Sequence, residues 1–155
     1  SIEVDLVGAG SLESALREQV QRCGLDEVVR FRGHVDHATL AGWLGDHHVF
    51  VTPARSDGNN VSLNEAMACG CFPIATDIPA NAQWLRHGEN GLLYPAGDVQ
   101  ALSRCIERAA ADPLWRARVA VQNRRIVEER ANWRTSVEKM KTLYEQAITC
   151  HMRKG

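Results

Sequence analysis

The chain has no long apolar run, so its sequence contains nothing that would cross a membrane. No stretch of the 155 residues approaches the roughly 18 consecutive apolar residues of a transmembrane helix. The first residues also lack the basic and apolar regions of an export signal. We therefore expect a cytoplasmic protein.

The cysteines are too few, and odd in number, for a disulfide framework. The chain has five cysteines, an odd count that indicates a reducing compartment. Cys69 and Cys71 are too close together for a typical zinc site, and His47 and His48 are adjacent rather than at ligand spacing. We expect neither a metal nor a cofactor.

The chain has almost no net charge, but the charge is unevenly distributed. A formal charge of −1 argues against general affinity for nucleic acid. Residues 1–99 contain 6 Lys and Arg against 13 Asp and Glu, whereas residues 100–155 contain 12 against 6. The basic part is helical in pattern, and a run such as Arg116 to Arg134 is usually a solvated helix face. Contact with anionic lipid at a membrane periphery, or with a lipid-linked acceptor, is the alternative.

Short apolar runs alternate with helical patterns along the chain. The expected strands are 2–7, 28–32, 49–52, 72–76 and 92–94. The expected helices are 11–23, capped by Ser11, and 38–45, 61–69, 99–111, 114–130 and 134–152. This alternation predicts an α/β fold with a Rossmann-like, doubly wound parallel sheet, helices at the C-terminus, and ligands at the carboxyl ends of the strands. The length predicts a single domain over residues 1–155.

The most informative segment runs from Asp57 to Glu65. Gly58 allows a tight turn after the third strand, and Asn59, Asn60 and Ser62 are all good N-caps for the helix that follows. Free amides at a helix start, together with the helix dipole, favour an anion such as a diphosphate. Glu65, one turn into this helix, is placed to accept the two hydroxyls of a ribose.

A ligand-free interpretation of the same residues fits about equally well. The segment from Ser62 to Glu65 has the pattern of a capping box, in which Ser62 caps the helix and Glu65 reaches back to the backbone. Asp57 alone is more often a turn former than a catalytic group. From the pattern alone, both interpretations remain open.

Five segments, in order along the chain, resemble one known family. They are 7–11, 29–35, 49–56, 65–70 and 88–95. Over residues 2–147 the chain resembles the donor-binding, C-terminal half of a retaining glycosyltransferase of family four, the group 1 type, which has the GT-B fold. The helix around Glu65 is the most specific part of this resemblance and Gly8 to Ser11 the least.

The resemblance implies a role for each segment. The family has two glutamates separated by seven residues: the second corresponds to Glu65 and implies ribose binding, and the first corresponds to Asp57 and implies a catalytic contact with the donor sugar. The family's usual Gly-Phe-Gly after the first acid is altered here, so recognition of the sugar differs. The implied donor-binding residues are Gly8, Gly10, Gly33, His34, Val35, Gly58, Asn59, Asn60, Val61, Ser62 and Glu65, with the amides of Val61 and Ser62 at the diphosphate and the loop 33–35 beside the base.

Other signals are weaker. Gly8 and Gly10 lack the third glycine of a dinucleotide fingerprint, so a plain strand-to-helix turn explains them at least as well. His34 either touches the base or is simply exposed. Four tryptophans accompany amphipathic patterns and are expected to pack rather than to bind sugar. They are Trp43, Trp84, Trp115 and Trp133.

Three classes of function fit this sequence. The first is a hexosyltransferase donor domain that uses a nucleotide diphosphate sugar in polysaccharide or glycolipid synthesis. The second is a nucleotide-sugar epimerase, which would need further acid and base side chains. The third is a nucleotide-binding module without chemistry.

The resemblance also implies that the chain is a fragment of a two-domain enzyme and inactive alone. Family members have an acceptor-binding domain upstream, and their donor domain opens with a strand and helix carrying the Arg and Lys that neutralise the diphosphate. Ser1 stands directly before the strand that would follow that unit. In a sheet of order 3-2-1-4-5-6 the absent strand would lie between residues 2–7 and 49–52, leaving two unpaired edges unless the sheet closes up.

Overall fold

The structure, a computed structural model, describes residues 2–152, with side chains described over residues 2–149. The chain divides into two compact units, Ser1–Trp43 and Leu44–Gly155. Twelve elements lie within the described residues, and the division falls inside the second helix.

The first unit contains a parallel pair of strands. Its elements are β1 (Val4–Val7), α1 (Glu13–Arg22), β2 (Val29–Gly33) and the first part of α2 (His37–Asp46). Val4 lies opposite Val29 and Leu6 opposite Phe31. Charged side chains cross between the strands: Arg32 Nε lies 2.9 Å from Asp5 Oδ1. The predicted strands are confirmed, although β1 begins at Val4 rather than at Ile2.

The predicted cap of α1 is wrong. The helix begins at Glu13, and its N-cap is Leu12, which makes no capping hydrogen bond through its side chain. The first turn is instead stabilised by charge, because Glu13 near the positive end of the helix also accepts from Arg17 at 2.8 Å. Ser11 therefore lies in the turn before the helix.

The second unit contains a parallel sheet of three strands in the order β3-β4-β5. Val49 lies opposite Phe72, and Ile74 lies opposite Leu92. Its strands and helices are β3 (Val49–Thr52), α3 (Val61–Cys69), β4 (Phe72–Thr76), α4 (Pro79–Ala82), β5 (Leu92–Tyr94), α5 (Val99–Ala111), α6 (Pro113–Arg130) and α7 (Trp133–Met152), besides the end of α2. The predicted bounds of β3, α3, β4, β5 and α5 are confirmed to the residue. The short helix α4, with Pro79 at its start, was not predicted.

β4 is buried along its whole length because helices cover both faces of this sheet. Phe72 and Ile74 project to one side and pack with Leu92, Cys105 and Val119. Ala75 projects to the other and belongs to a second buried cluster. The remaining members of that cluster are Leu63, Met67, Trp84 and Leu85. The doubly wound α/β architecture is therefore confirmed.

The strands form two separate sheets. Among the described residues β1 is hydrogen-bonded to β2, and β3 to β4, with no strand pairing that joins the two sheets. The edges of β1 and β3 predicted to be unpaired are thus unpaired in the described chain, and they carry partly exposed apolar residues such as Leu6 and Val51.

Three of the four tryptophans pack as predicted and one does not. Trp115 lies edge to face on Phe72 with ring centroids 4.6 Å apart, and Trp84 is buried. Trp43 is half-buried in the first unit. Trp133 is 75% exposed, so the prediction is wrong there. An amphipathic pattern identifies an apolar face but does not supply the surface that covers it.

The described residues offer neither a membrane-crossing element nor a metal cluster. No helix within residues 2–152 has the length and apolar content needed to span a bilayer. Over the same part of the chain, no three His, Cys, Asp or Glu side chains gather as metal ligands would. Cys23, Cys71 and Cys105 are free thiols.

Candidate functional site

The loop between β3 and α3 places the predicted motif at the carboxyl end of a strand. β3 ends at Thr52 and α3 begins at Val61, as the sequence predicted. Asn60 is the N-cap: its Oδ1 accepts from the amide of Leu63 at 3.0 Å. Of the three candidate caps, the structure therefore selects Asn60.

This choice of cap excludes the capping box. Ser62 is the second residue of α3 and Glu65 the fifth, so neither occupies the position that the motif requires. Leu63, an apolar residue, stands where the returning acid would be. The physical reason is that Asn60 already supplies the acceptor that Ser62 supplies in the capping-box interpretation.

The cap leaves two amides available at the start of α3. The first amides of a helix have no acceptor within it, and Asn60 satisfies Leu63. The amides of Val61 and Ser62 have no hydrogen-bond acceptor among the described residues, and both residues are exposed. With the helix dipole behind them, they form a site suited to an anion.

Glu65 lies one turn into α3 and is half-buried. Residues three and four apart share one face of a helix, so Glu65 lies on the same side as Val61 and Ser62. The structure thus brings together the two available amides and the predicted ribose-binding carboxylate.

Asp57 forms a turn at the start of the loop. Its Oδ1 accepts from the amide of Asn59 at 3.1 Å, which is an Asx-turn. The side chain is exposed, and its second oxygen has no hydrogen-bond partner within the described chain. Turn formation uses one carboxylate oxygen, and the other is accessible.

The predicted reason for Gly58 is wrong. Among the glycines of the described chain, Gly58 does not have a positive φ, and a Cβ at this position would meet no atom within 4 Å. The chain turns here because of the Asx-turn at Asp57, not because of a backbone conformation reserved for glycine.

The two residues that depart from the family pattern are both held by side-chain hydrogen bonds. Asn59 Oδ1 accepts from Trp84 Nε1 at 3.0 Å. The guanidinium carbon of Arg130 lies 4.6 Å from the centre of the Trp84 ring. Asn60 is 4% exposed, and its Nδ2 donates to Asn81 Oδ1 at 2.9 Å and to Thr52 Oγ1 at 3.2 Å. Both polar atoms of the Asn60 side chain are therefore used within the protein, whereas Asn59 is exposed and only its oxygen is held.

The sequence did not identify Asn81 or Thr76 as parts of this site. Asn81 Nδ2 donates to the carbonyl of Thr76 at 2.9 Å, and Thr76 Oγ1 donates to the carbonyl of Ala54. Thr76 ends the apolar strand β4, and Asn81 follows it in α4. These two polar residues in an apolar region could have indicated a buried hydrogen bond, because a buried amide or hydroxyl requires a partner.

In the first unit, the structure brings Gly8 and Gly33 together. The amide of Gly8 donates to the carbonyl of Gly33 at 2.7 Å, at the ends of β1 and β2. Their φ angles of 123° and 65° require glycine. Gly10 and His34 are exposed and Val35 is half-buried. These residues have structural reasons to be there, and their contact with a donor stays a prediction.

Asp36, which follows the loop 33–35, caps the start of α2, and the sequence did not predict this cap. Its Oδ1 accepts from the amide of Thr39 at 3.0 Å, and its Oδ2 accepts from the Thr39 hydroxyl at 2.7 Å. These bonds, the hydroxyl foremost, lower the pKa of Asp36. The carboxylate therefore stabilises the start of α2.

Comparison with known proteins identifies the family. The model of the family "Glycosyl transferases group 1" matches residues 1–112, and the chain belongs to this family. Phosphatidyl-myo-inositol mannosyltransferase of Mycobacterium leprae is 32% identical over 149 residues, which are 96% of this chain and 39% of that protein. The chain thus spans about two fifths of the length of this relative.

Two solved structures share the fold, which is of the GT-B type. Sucrose-phosphate synthase from Thermosynechococcus elongatus superposes with a TM-score of 0.86 at 30% identity, over 94% of this chain and 38% of that one. The Anabaena protein HepE, solved in complex with UDP-glucose, superposes with a TM-score of 0.84 at 22% identity, over 93% of this chain and 41% of that one. The predicted family and fold are confirmed.

Proposed function

We propose that this chain is the donor-binding part of a glycosyltransferase that uses a nucleotide diphosphate sugar. The observation that carries the proposal is the start of α3, where the unpaired amides of Val61 and Ser62 share a face with the carboxylate of Glu65. A diphosphate and a ribose present the complementary groups, an anion and a vicinal diol.

The diphosphate, the ribose and the sugar of the donor each have a partner in this arrangement. The two amides hold the diphosphate, and Glu65 accepts hydrogen bonds from the ribose hydroxyls. Asp57, ahead of the helix, directs its second carboxylate oxygen to the sugar while the first maintains the turn.

The reaction we propose is hexosyl transfer with retention of configuration. The bond from the anomeric carbon to the diphosphate oxygen breaks, a bond to an acceptor oxygen forms, and the acceptor's proton is released. The relative from Mycobacterium leprae is by name a mannosyltransferase acting on phosphatidyl-myo-inositol, and HepE is described with UDP-glucose. These names support a nucleotide-sugar donor and an acceptor in glycolipid or polysaccharide synthesis.

The test is a calorimetric titration of the 155-residue chain with UDP, GDP, ADP, the three corresponding nucleosides, and the glucose and mannose derivatives of the diphosphates. We expect one nucleoside diphosphate to bind more tightly than its nucleoside, because the amides of α3 contribute only when phosphates are present. Equal binding of nucleoside and nucleoside diphosphate, or none of either, would reject the proposal.

The reaction itself is tested on the full-length protein that contains this chain. NMR analysis of the product's anomeric configuration separates retention from inversion. Conversion of the sugar while it is still attached to the nucleotide would instead identify an epimerase.

A further inference from the structure

Asn81 is at the centre of a buried network of hydrogen bonds behind the loop of residues 53–60. The residue has no exposed surface. Its Oδ1 accepts from Asn60, and its Nδ2 donates to the carbonyl and the hydroxyl of Thr76 at 2.9 and 3.2 Å. Every polar atom of the Asn81 side chain is therefore used.

The network holds both ends of the loop. At its far end, Asn60 is oriented by Asn81 and Thr52 while it caps α3. Near its beginning, the carbonyl of Ala54 accepts from Thr76. Since Thr76 is also bonded to Asn81, the positions of Ala54 and Asn60 depend on one another through two side chains.

The orientation of Asn60 determines which amides of α3 remain for a ligand. With its Oδ1 on Leu63, the amides of Val61 and Ser62 are left available. An amide side chain has two ends, and Asn81 fixes which end of Asn60 points to the helix by accepting from the other. Without that acceptor, only the longer bond to Thr52 Oγ1, at 3.2 Å, still holds the Asn60 nitrogen inward.

We propose that Asn81 is a positioning residue for the diphosphate of the donor. It acts through Asn60 and touches no substrate. This inference rests on the proposed function and adds to it, because it assigns to a buried residue the geometry of the anion site. It predicts a selective effect: affinity that depends on phosphate falls, and affinity for the nucleoside does not.

The same unit supplies a matched control. Asn90 Nδ2 donates to Asn123 Oδ1 at 2.9 Å, and Asn123 Nδ2 donates to the carbonyl of Asn90 at 2.8 Å. Both residues are buried, as Asn60 and Asn81 are. This pair joins the turn before β5 to α6, so the substitution Asn123→Leu removes an equivalent amide without touching Asn60.

The experiment compares Asn81→Leu with Asn123→Leu in the 155-residue chain. Binding of UDP, GDP, ADP and the three nucleosides is followed by NMR titration, and unfolding is followed by circular dichroism. We expect both variants to lose stability, but only Asn81→Leu to lose about tenfold in nucleoside diphosphate affinity relative to nucleoside, as expected when a hydrogen bond to a charged group is misaligned.

Thr76→Val keeps the test decisive if Asn81→Leu does not fold. It preserves the shape of the side chain and the carbonyl that Asn81 uses, but it removes the bond to Ala54 and the longer bond that the Thr76 hydroxyl accepts from Asn81. We expect a loss of about threefold in the same ratio, less than for a direct contact. Folded variants with an unchanged ratio, or a matching loss in Asn123→Leu, would overturn the positioning role. A parent chain that binds no nucleoside diphosphate would overturn the proposed function itself.

Discussion

Trp84 donates its indole N–H to the side-chain oxygen of Asn59 at 3.0 Å, which ties the altered loop to a buried aromatic residue. The ring belongs to the core cluster that contains Leu63 and Met67 of α3. The position of the loop is thus linked to the packing of the helix whose first turn forms the candidate site.

We predict that Trp84→Phe loosens the loop while leaving the core packed. Phenylalanine keeps an aromatic face for Arg130 but cannot donate to Asn59. The free energy of unfolding should fall by about 1 kcal/mol for the lost hydrogen bond. In calorimetry, the preference for the nucleotide sugar over the nucleoside diphosphate should weaken. Trp115→Phe is the control, since the Trp115 indole has no hydrogen-bond partner among the described residues. An unchanged preference in Trp84→Phe would show that the hydrogen bond between Trp84 and Asn59 does not affect binding of the sugar.

The fold was predictable because alternation of short apolar runs and helical patterns depends on neighbouring residues. Helix α3 lies between two capping residues, Asn60 and Gly70, and β4 is a short, mainly apolar run around Pro73. Their bounds therefore depend only on residues close together in the sequence. What the sequence could not show is which polar side chains meet after folding. Asn60 and Asn81 are 21 residues apart, and no spacing rule pairs them.

The candidate site was predictable in outline for the same reason. Asp57, the start of α3 and Glu65 lie within nine consecutive residues, and the structure has them in the predicted arrangement, with Asp57 before the helix and Glu65 one turn into it. The sequence left three candidate caps open because three neighbouring residues could all serve, and in the structure Asn60, which also bonds to the distant Asn81, is the cap. A competition of this kind is decided by tertiary contacts.

Asp57 should discriminate the sugar and not the nucleotide. Asp57→Asn retains an oxygen for the Asx-turn with Asn59 but removes the charge. We therefore predict weaker binding of the nucleotide sugar, by about tenfold if a charge-assisted bond is lost, and unchanged binding of the nucleoside diphosphate. Asp57→Ala removes the turn as well and should add a loss for both ligands. Equal losses for both ligands in Asp57→Asn would place the carboxylate away from the sugar.

Asn64 should be replaceable with a gain in stability. The residue is 8% exposed, and its Oδ1 is buried without a hydrogen-bond partner in the described chain. A buried acceptor left unsatisfied costs about 1 to 3 kcal/mol. We expect Asn64→Leu to raise the free energy of unfolding, measured in urea. The same change at Asn123, whose amide is fully bonded, should lower it. A loss of stability in both variants would indicate that Asn64 has a partner in solution.

Cys71 should make stability fall in alkaline solution. Burial raises the pKa of its thiol from 9.0 to about 12, with a smaller contribution from Cys69. Because the folded pKa is the higher one, the stabilisation is complete below pH 9 and is lost as pH rises towards 12, where the unfolded thiol ionises and the folded one does not. Urea unfolding at several pH values should therefore show a shallower alkaline decline in Cys71→Ala than in the parent chain. Parallel declines would mean that the thiol does not titrate differently on unfolding.

Glu65 should contribute to ligand affinity more than to the stability of α3. Its position, the fifth residue of the helix, excludes the capping box, so Glu65 does not cap the start of α3. Glu65→Gln keeps the length of the side chain and an acceptor for the ribose but removes the charge. Hydrogen bonds with a charged partner contribute about 1.5 to 3 kcal/mol, and a neutral amide recovers only part of this. Calorimetry should show weaker binding of the nucleoside diphosphate, with a thermal midpoint close to that of the parent. Glu128→Gln, the same change at an exposed position of α6, should alter neither quantity. If Glu65→Gln lowers the midpoint and leaves affinity unchanged, the carboxylate stabilises the helix and does not bind the ribose.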